Sequence, residues 1–293
     1  MTEASDGRVG VIGLGLMGRP MALNLHRAGY GVVIHNRSLR PKLALAAAGL
    51  TPAESPRAVA QAADIVILML LDTPAVDAVL HGPDGVLAGL RPGALVIDMG
   101  TTEVPATRRF ADEARAAGGD YVDAPVSGGE VGAKDGTLTI MAGGSADAFA
   151  RAKPVFAVLG RNVSHIGAVG AGQITKAANQ LIVAVTIGAV AEALTLARAA
   201  GADPAKVRDA LQGGFAASRI LELHGKRMVD GNFKPGGRSV TQLKDLNQCA
   251  DLAAESGVDL PTLALVRDLY RKLVDRGDGD LDHSALIRLI DGS

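Results

Sequence analysis

The chain has 293 residues and a formal net charge of −1, from 30 Lys plus Arg against 31 Asp plus Glu. A length near twice that of an ordinary domain predicts two domains. The missing basic excess excludes nucleic acid and anionic membranes as main partners, and a single cysteine, Cys249, excludes an internal disulfide framework and any multi-thiolate metal site.

Hydrophobic residues make up 48% but aromatic ones only 3%, with no Trp, so the core is expected to be aliphatic. Glycine is abundant at 37 residues, a surplus that close backbone-to-ligand approaches would use. Glu3, Asp6 and Arg8 precede any apolar run, which argues against a signal peptide. The most apolar stretch, residues 181–191, reads as too short for a bilayer, which takes about 20 residues. A soluble, cytoplasmic protein is the expectation.

Residues 9–12 (VGVI) predict a strand, residues 19–28 a helix and residues 32–34 a second strand. Residues 65–71 (IVILMLL) form a continuous apolar run, the signature of a strand buried on both faces of a parallel sheet. Residues 95–97 predict a further strand, 104–117 a helix, and 121–123 and 138–142 two more strands. This alternation predicts an α/β fold, a Rossmann-like doubly wound domain over residues 1–168. Residues 172–200 then form one long helical stretch, apolar on nearly all sides, which must be buried within one protein or between subunits. Helical segments follow at 203–211, 218–228, 240–256 and 262–276, with Pro204 opening one and Gly201 closing its predecessor. The long helix thus joins the first domain to an all-α domain over residues 169–293. Its apolar surface predicts a homodimer or homotetramer.

Gly13-Leu14-Gly15-Leu16-Met17-Gly18 is a G-x-G-x-x-G directly after the first strand and opening a helix. The spelling alone fits a plain turn; its position is what dinucleotide binding needs. The first glycine permits the tight turn, the second lets backbone approach pyrophosphate, and the third lets helix and strand pack closely. The second strand ends in His35-Asn36-Arg37-Ser38, with no carboxylate to accept from the ribose of NAD. Arg37 can pair with a 2′-phosphate, and Asn36 and Ser38 can donate further hydrogen bonds, so NADP is favoured and NAD is possible. The plainer alternative makes Arg37 a solvated surface charge.

After the strand at 121–123, Ser127-Gly128-Gly129 offers a hydroxyl and backbone N–H groups to a carboxylate; the alternative is an ordinary turn. Lys176, Asn179 and Gln180 share one face of the long helix. An ammonium among Ala177 and Ala178 is costly to bury. Desolvation and the helix N-terminus are expected to lower its pKa toward the working pH, which suits a general acid; the alternative is a lysine that reaches solvent. His26, His81, His165, His224 and His283 show no ligand spacing, so no metal site is expected.

The segments GLGLMGRPMALNL, DAPVSGGE, GAGQITKAANQ and LKDLN occur in this order across nearly the whole chain. With them the chain resembles the β-hydroxyacid dehydrogenase family. GGFAASRILELHGKRM, DGNFKPGGR and the late DHSAL are most similar to its tartronate semialdehyde reductase branch; the 3-hydroxyisobutyrate and glyoxylate/succinic semialdehyde branches are its neighbours. The resemblance implies an NAD(P)-dependent oxidoreductase acting on a small hydroxy or oxo acid. It implies that Lys176 is the catalytic lysine and that Ser127, Gly128 and Gly129 bind the substrate carboxylate. It further implies that Met69 and Leu70 line the cofactor, that Thr101 contacts the nicotinamide ribose, and that Lys244 closes over nicotinamide and substrate. Two positions depart from the family pattern. Gln180 stands where many members carry Asn, with Asn179 one position earlier, so either amide is a candidate to touch substrate. Leu70-Leu71 stands where Leu-Pro is common. A catalytically silent NADP-binding protein and an imine reductase are the competing readings; Lys176 together with the Ser127–Gly129 loop argues against the first, and Lys176 against the second.

Overall fold

The computed structural model describes residues 7–293, so Glu3 and Asp6 lie outside the described residues. The chain divides into two compact units, the first ending at Lys176 and the second running from Ala177 to Ser293.

The first unit opens with strands β1 (Arg8–Ile12), β2 (Gly31–His35) and β3 (Thr51–Pro52), alternating with helices α1 (Gly18–Arg27), α2 (Leu39–Ala46) and α3 (Pro56–Ala62). Strands β4 (Ile65–Leu68), β5 (Leu95–Asp98) and β6 (Asp120–Asp123) follow, separated by α4 (Thr73–Leu80), α5 (Val86–Gly89) and α6 (Val104–Ala116). These six strands are parallel, in the order β3-β2-β1-β4-β5-β6. Val9, Val11, Val66, Ile67, Val96 and Ile97 are all buried, as strands covered by helices on both faces require. One core gathers Val11, Met21, Leu25 and Phe156. The other gathers Val59, Val66, Phe110 and Tyr121. The parallel pairing places every strand's C-terminal end at one edge of the sheet. The order reverses between β1 and β4, the switch point where this architecture binds ligands.

The rest of the unit is β7 (Val126–Ser127), α7 (Gly129–Asp135), β8 (Leu138–Gly143), α8 (Ala146–Leu159) and β9 (Gly160–Gly167). Strand β8 runs antiparallel to β6 and β7 and parallel to β9. Strands β3, β7 and β9 carry no sequence signal that predicts them. The first two are two residues long, and β9 exposes Arg161, Asn162 and Ser164. Conversely, the apolar run 65–71 is not all strand. β4 stops at Leu68: the Met69 N–H makes the last ladder bond, to the Ile12 carbonyl at 2.8 Å, and the chain then turns off the sheet against Gly13.

The long helix is α9 (Ala171–Ala199), within one residue of the predicted span at each end. It is followed in the second unit by α10 (Pro204–Leu211), α11 (Arg219–Asp230), α12 (Ser239–Glu255), α13 (Pro261–Leu273), a 3-10 turn (His283–Ala285) and α14 (Leu286–Ile290). α13 ends three residues before the predicted Arg276, in a wide turn in which Gly277 has φ +98°. Ile187, Leu194, Leu246, Tyr270 and Leu286 form this unit's core, and the Tyr270 hydroxyl donates to the His283 carbonyl at 3.0 Å.

α9 corrects one expectation. By length and apolar composition alone it is long enough to cross a membrane, so the run 181–191 understated it. A helix packed within or between soluble chains has the same character. A single chain does not cover it all round: Ile182 is 65% and Leu196 71% exposed.

Candidate active site

The Gly13–Gly18 turn leaves β1 at the switch point, and the reason for its glycines is steric. Gly13 has φ +98°, and a Cβ there would lie 2.3 Å from the Met69 carbonyl oxygen. A Cβ on Gly18 would lie 1.9 Å from the Gly13 carbonyl oxygen. A Cβ on Gly15 would meet nothing of the chain within 4 Å, and the residue is exposed. That is the surface a dinucleotide pyrophosphate approaches, and the turn fits the cofactor. Leu14 is buried, while Leu16 is exposed and Met17 half-buried.

Asn36 braces this turn. Its Oδ1 accepts the Leu14 N–H at 2.9 Å, and its Nδ2 donates to the Ser38 carbonyl at 3.1 Å. The Asn36 side chain is thus built into the protein's own hydrogen bonding, whereas Arg37 is exposed beside it. Met69 and Leu70 are half-buried against Gly13.

At the next two strand ends the carboxylates of Asp98 and Asp123 are fully buried. Asp98 accepts from the Gly100 N–H at 3.0 Å, the Thr102 hydroxyl at 2.6 Å and the Tyr121 hydroxyl at 3.3 Å. This network holds the loop containing the half-buried Thr101. Burial and the two carboxylates push the Tyr121 hydroxyl well above its ordinary pKa, so it stays a donor. Gln173, on the first turn of α9, joins the same loop: its Oε1 accepts the Thr102 N–H at 3.1 Å and its Nε2 donates to the Gly100 carbonyl at 3.0 Å.

Asp123 clamps the start of α9. Its Oδ1 accepts the Gly170 N–H at 2.7 Å and its Oδ2 the Gln173 N–H at 2.9 Å. The approach is close: a Cβ on Gly172 would lie 2.4 Å from the Met141 carbonyl oxygen and 2.7 Å from that of Asp123. One further turn along the helix, Lys176 is 8% exposed and its Nζ donates to the Val126 carbonyl at 2.8 Å. It does not reach into bulk water. Val126 immediately precedes Ser127, Gly128 and Gly129; Gly128 has φ +130° and Gly129 φ +59°, and both are exposed. Lys176 is therefore fixed at the root of the predicted carboxylate loop.

Among the described residues of the second unit, Gln180, Gln242 and Asp245 form a buried amide–carboxylate cluster. Gln180 Nε2 donates to Asp245 Oδ2 at 2.6 Å and to Gln242 Oε1 at 3.3 Å. Asn179 Nδ2 donates to Gln180 Oε1 at 2.8 Å, and Lys244 Nζ lies 2.8 Å from Asp245 Oδ1. Sequence spacing also missed that His224 and His283 meet, with Nε2 atoms 3.3 Å apart. Asp98, Asp123, Gln173, Gln242 and Asp245 were not assigned roles from sequence either. For the first two a signal existed: each ends an apolar parallel strand with a carboxylate.

The family comparisons agree with this architecture. Residues 8–167 match the NAD binding domain of 6-phosphogluconate dehydrogenase, and residues 170–290 match the NAD-binding domain of NADP-dependent 3-hydroxyisobutyrate dehydrogenase. The chain is 45% identical over 285 residues to the 2-hydroxy-3-oxopropionate reductase of Escherichia coli (strain K12), covering 97% of each. It is 38% identical over 284 residues to the probable 3-hydroxyisobutyrate dehydrogenase-like 1, mitochondrial, of Arabidopsis thaliana, covering 97% of this chain and 85% of that one. The crystal structure of 3-hydroxyisobutyrate dehydrogenase from Salmonella typhimurium matches with a TM-score of 0.89 at 32% identity, covering 97% of this chain and 100% of that one. The chain belongs to the 3-hydroxyisobutyrate dehydrogenase-like, or β-hydroxyacid dehydrogenase, family of NAD(P)-dependent oxidoreductases.

Burial raises the Asp123 carboxyl from its ordinary 3.8 to about 6, against the pull of the Gly170 and Gln173 N–H groups. The folded chain therefore binds this proton more tightly than the unfolded chain does. Stability falls as pH rises from about 4 through 6, by about 3 kcal/mol for this group alone. Asp123→Asn is expected to flatten that slope and, having one oxygen for two N–H donors, to cost about 1 kcal/mol of helix-start stability. Urea unfolding of both chains at pH 4.5 and 6.5 reads the slope; an unchanged slope in the variant removes Asp123 as its source.

Proposed function

We propose that this enzyme reduces 2-hydroxy-3-oxopropionate (tartronate semialdehyde) to glycerate, with NADP as cofactor and Lys176 as general acid. The observation that carries the reading is the buried Lys176 ammonium, held 2.8 Å from the carbonyl oxygen of Val126, one residue before Ser127. The Ser127 hydroxyl and the backbone N–H groups of Gly128 and Gly129 bind the substrate carboxylate. Lys176 donates a proton to the aldehyde oxygen as the carbonyl becomes an alcohol. When bound, the nicotinamide supplies the hydride; placement and charge come from the chain. In the oxidative direction the neutral amine of Lys176 takes the alcohol proton. Asn179 is the better candidate than Gln180 to orient the carbonyl, because the Gln180 amide is committed to Asp245 and Gln242.

The cofactor preference rests on Arg37. It is exposed at the end of β2, where no carboxylate stands to accept from a free ribose 2′-hydroxyl. Met69, Leu70 and Thr101 line the same edge of the sheet and are assigned to the cofactor, as is Lys244. We keep the domain boundary at residues 168–169, ahead of α9, whereas the compact units divide within that helix, after Lys176. A second reading, 3-hydroxyisobutyrate as substrate, is favoured by the family matched over residues 170–290. The buried single cysteine fits the reducing cytoplasm. Exposed Ile182 and Leu196 on α9 support a homodimer or homotetramer.

Lys176→Ala is expected to bind NADPH normally and to lose 10²–10⁴-fold in turnover; near-normal turnover would dismiss the acid–base role. Initial rates with tartronate semialdehyde, succinic semialdehyde, glyoxylate and methylmalonate semialdehyde, each with NADPH and NADH, rank the substrates. Arg37→Ala is expected to raise KM for NADPH about tenfold and leave KM for NADH nearly unchanged; an equal change in both overturns the NADP assignment. Sedimentation should give a mass at least twice the 29.8 kDa chain, and a monomer would refute the proposed assembly.

A further inference from the structure

Two histidines of the second unit play no part in the reaction above. His224 lies on α11 and His283 in the 3-10 turn near the C-terminus. Their Nε2 atoms are 3.3 Å apart, and the rings meet nearly perpendicular with centroids 4.5 Å apart.

Each ring turns its other nitrogen toward an oxygen. His224 Nδ1 lies 3.4 Å from Asp282 Oδ1, and His283 Nδ1 lies 3.3 Å from Gln242 Oε1. The orientation of the Gln242 amide is fixed independently. Its Nε2 donates to the Gln180 backbone carbonyl at 3.1 Å, and its Oε1 accepts from Gln180 Nε2. An amide oxygen and a carboxylate accept hydrogen bonds and cannot donate them. Both Nδ1 atoms therefore carry a hydrogen, and the two Nε2 atoms face each other at 3.3 Å. A single positive centre between them would be held by both rings.

Asp282 is placed as an orienting partner and not as a ligand. Its Oδ1 accepts the Ser284 N–H at 3.1 Å and the Ser284 hydroxyl at 2.6 Å. Its Oδ2 accepts the Gly236 N–H at 2.8 Å and the Gly237 N–H at 3.2 Å, with Arg227 Nη1 3.5 Å away. A carboxylate behind a histidine whose far nitrogen points outward is the outer half of a carboxylate–histidine–metal arrangement. His224 Nδ1 is also buried without a hydrogen bond of full geometry. A ligand on Nε2 that turned the ring toward Asp282 would complete that bond. Two imidazole nitrogens each about 2.1 Å from a tetrahedral ion stand roughly 3.4 Å apart, close to the separation already present.

We propose that His224 and His283 form a binding site for one borderline divalent cation of the zinc or nickel type, held between their Nε2 atoms, with water completing its coordination. Imidazole suits such ions, whereas magnesium and calcium require oxygen ligands. The ion would join α11 to the C-terminal turn and stabilise the second unit by mass action.

The test uses the untagged full-length chain. Long-range proton–nitrogen spectra with one equivalent of zinc should move the Nε2 resonances of His224 and His283 and leave the other histidines in place. Equilibrium dialysis should give one bound zinc per chain, competed by nickel and not by magnesium. His224→Gln and His283→Gln should each weaken zinc binding at least tenfold and abolish the zinc-dependent rise in Tm. The wild-type spectra decide the matter even if a variant fails to fold. No zinc bound at 100 μM, or zinc bound without movement of these two Nε2 resonances, overturns the proposal.

Discussion

The structure depends on one buried carboxylate. Asp123 ends β6 and accepts two backbone N–H groups from the start of α9. The helix begins pressed onto the ends of β6 and β8, so closely that residue 172 must be glycine. A helix start is a row of unsatisfied donors, and burying one away from water demands an acceptor. Asp123 meets that demand at the cost of a desolvated charge, which is why its carboxyl is pushed up to about 6. The same clamp sets the height of the first turns of α9, and so the position of Lys176 over the Val126 carbonyl.

Around that anchor, parallel pairing does the gathering. The Gly13–Gly18 turn, the Met69–Leu70 loop, the Asp98–Thr102 loop and the Ser127–Gly129 loop all leave strands at one edge of the sheet. None has to be brought there by a long excursion of chain. Gln173 then ties the Asp98–Thr102 loop to the first turn of α9 through its side-chain amide. The second unit uses a comparable device, with Gln180 and Gln242 exchanging hydrogen bonds beside Asp245. The longer glutamine at position 180 reaches partners on α12 and leaves Asn179 as the shorter amide on the helix.

What could be read from the sequence was what a single residue type encodes locally. Gly13 and Gly18 were legible because the turn admits no Cβ there, and the long helix was legible from its length and uninterrupted apolarity. The end of β4 was not. Leu68 and Met69 are both apolar, and what stops the strand is a turn against Gly13, a contact across 56 residues that composition does not record. The two-residue strands β3 and β7 exist only because neighbours pair with them. Asp98, Asp123 and Gln173 look like ordinary polar residues until the fold places them. Their partnerships span up to 73 positions. His224 and His283, 59 positions apart, fail the spacing rules of linear metal motifs for the same reason.

The lone thiol of the chain sits on α12, with Cys249 5% exposed and pushed above its ordinary pKa by burial. A protonated, covered sulfur is inert toward alkylating and disulfide reagents. Any modification must wait for the helices around it to part, so its rate counts opening events of that helical unit directly. The molecule thereby carries a native clock for its own breathing.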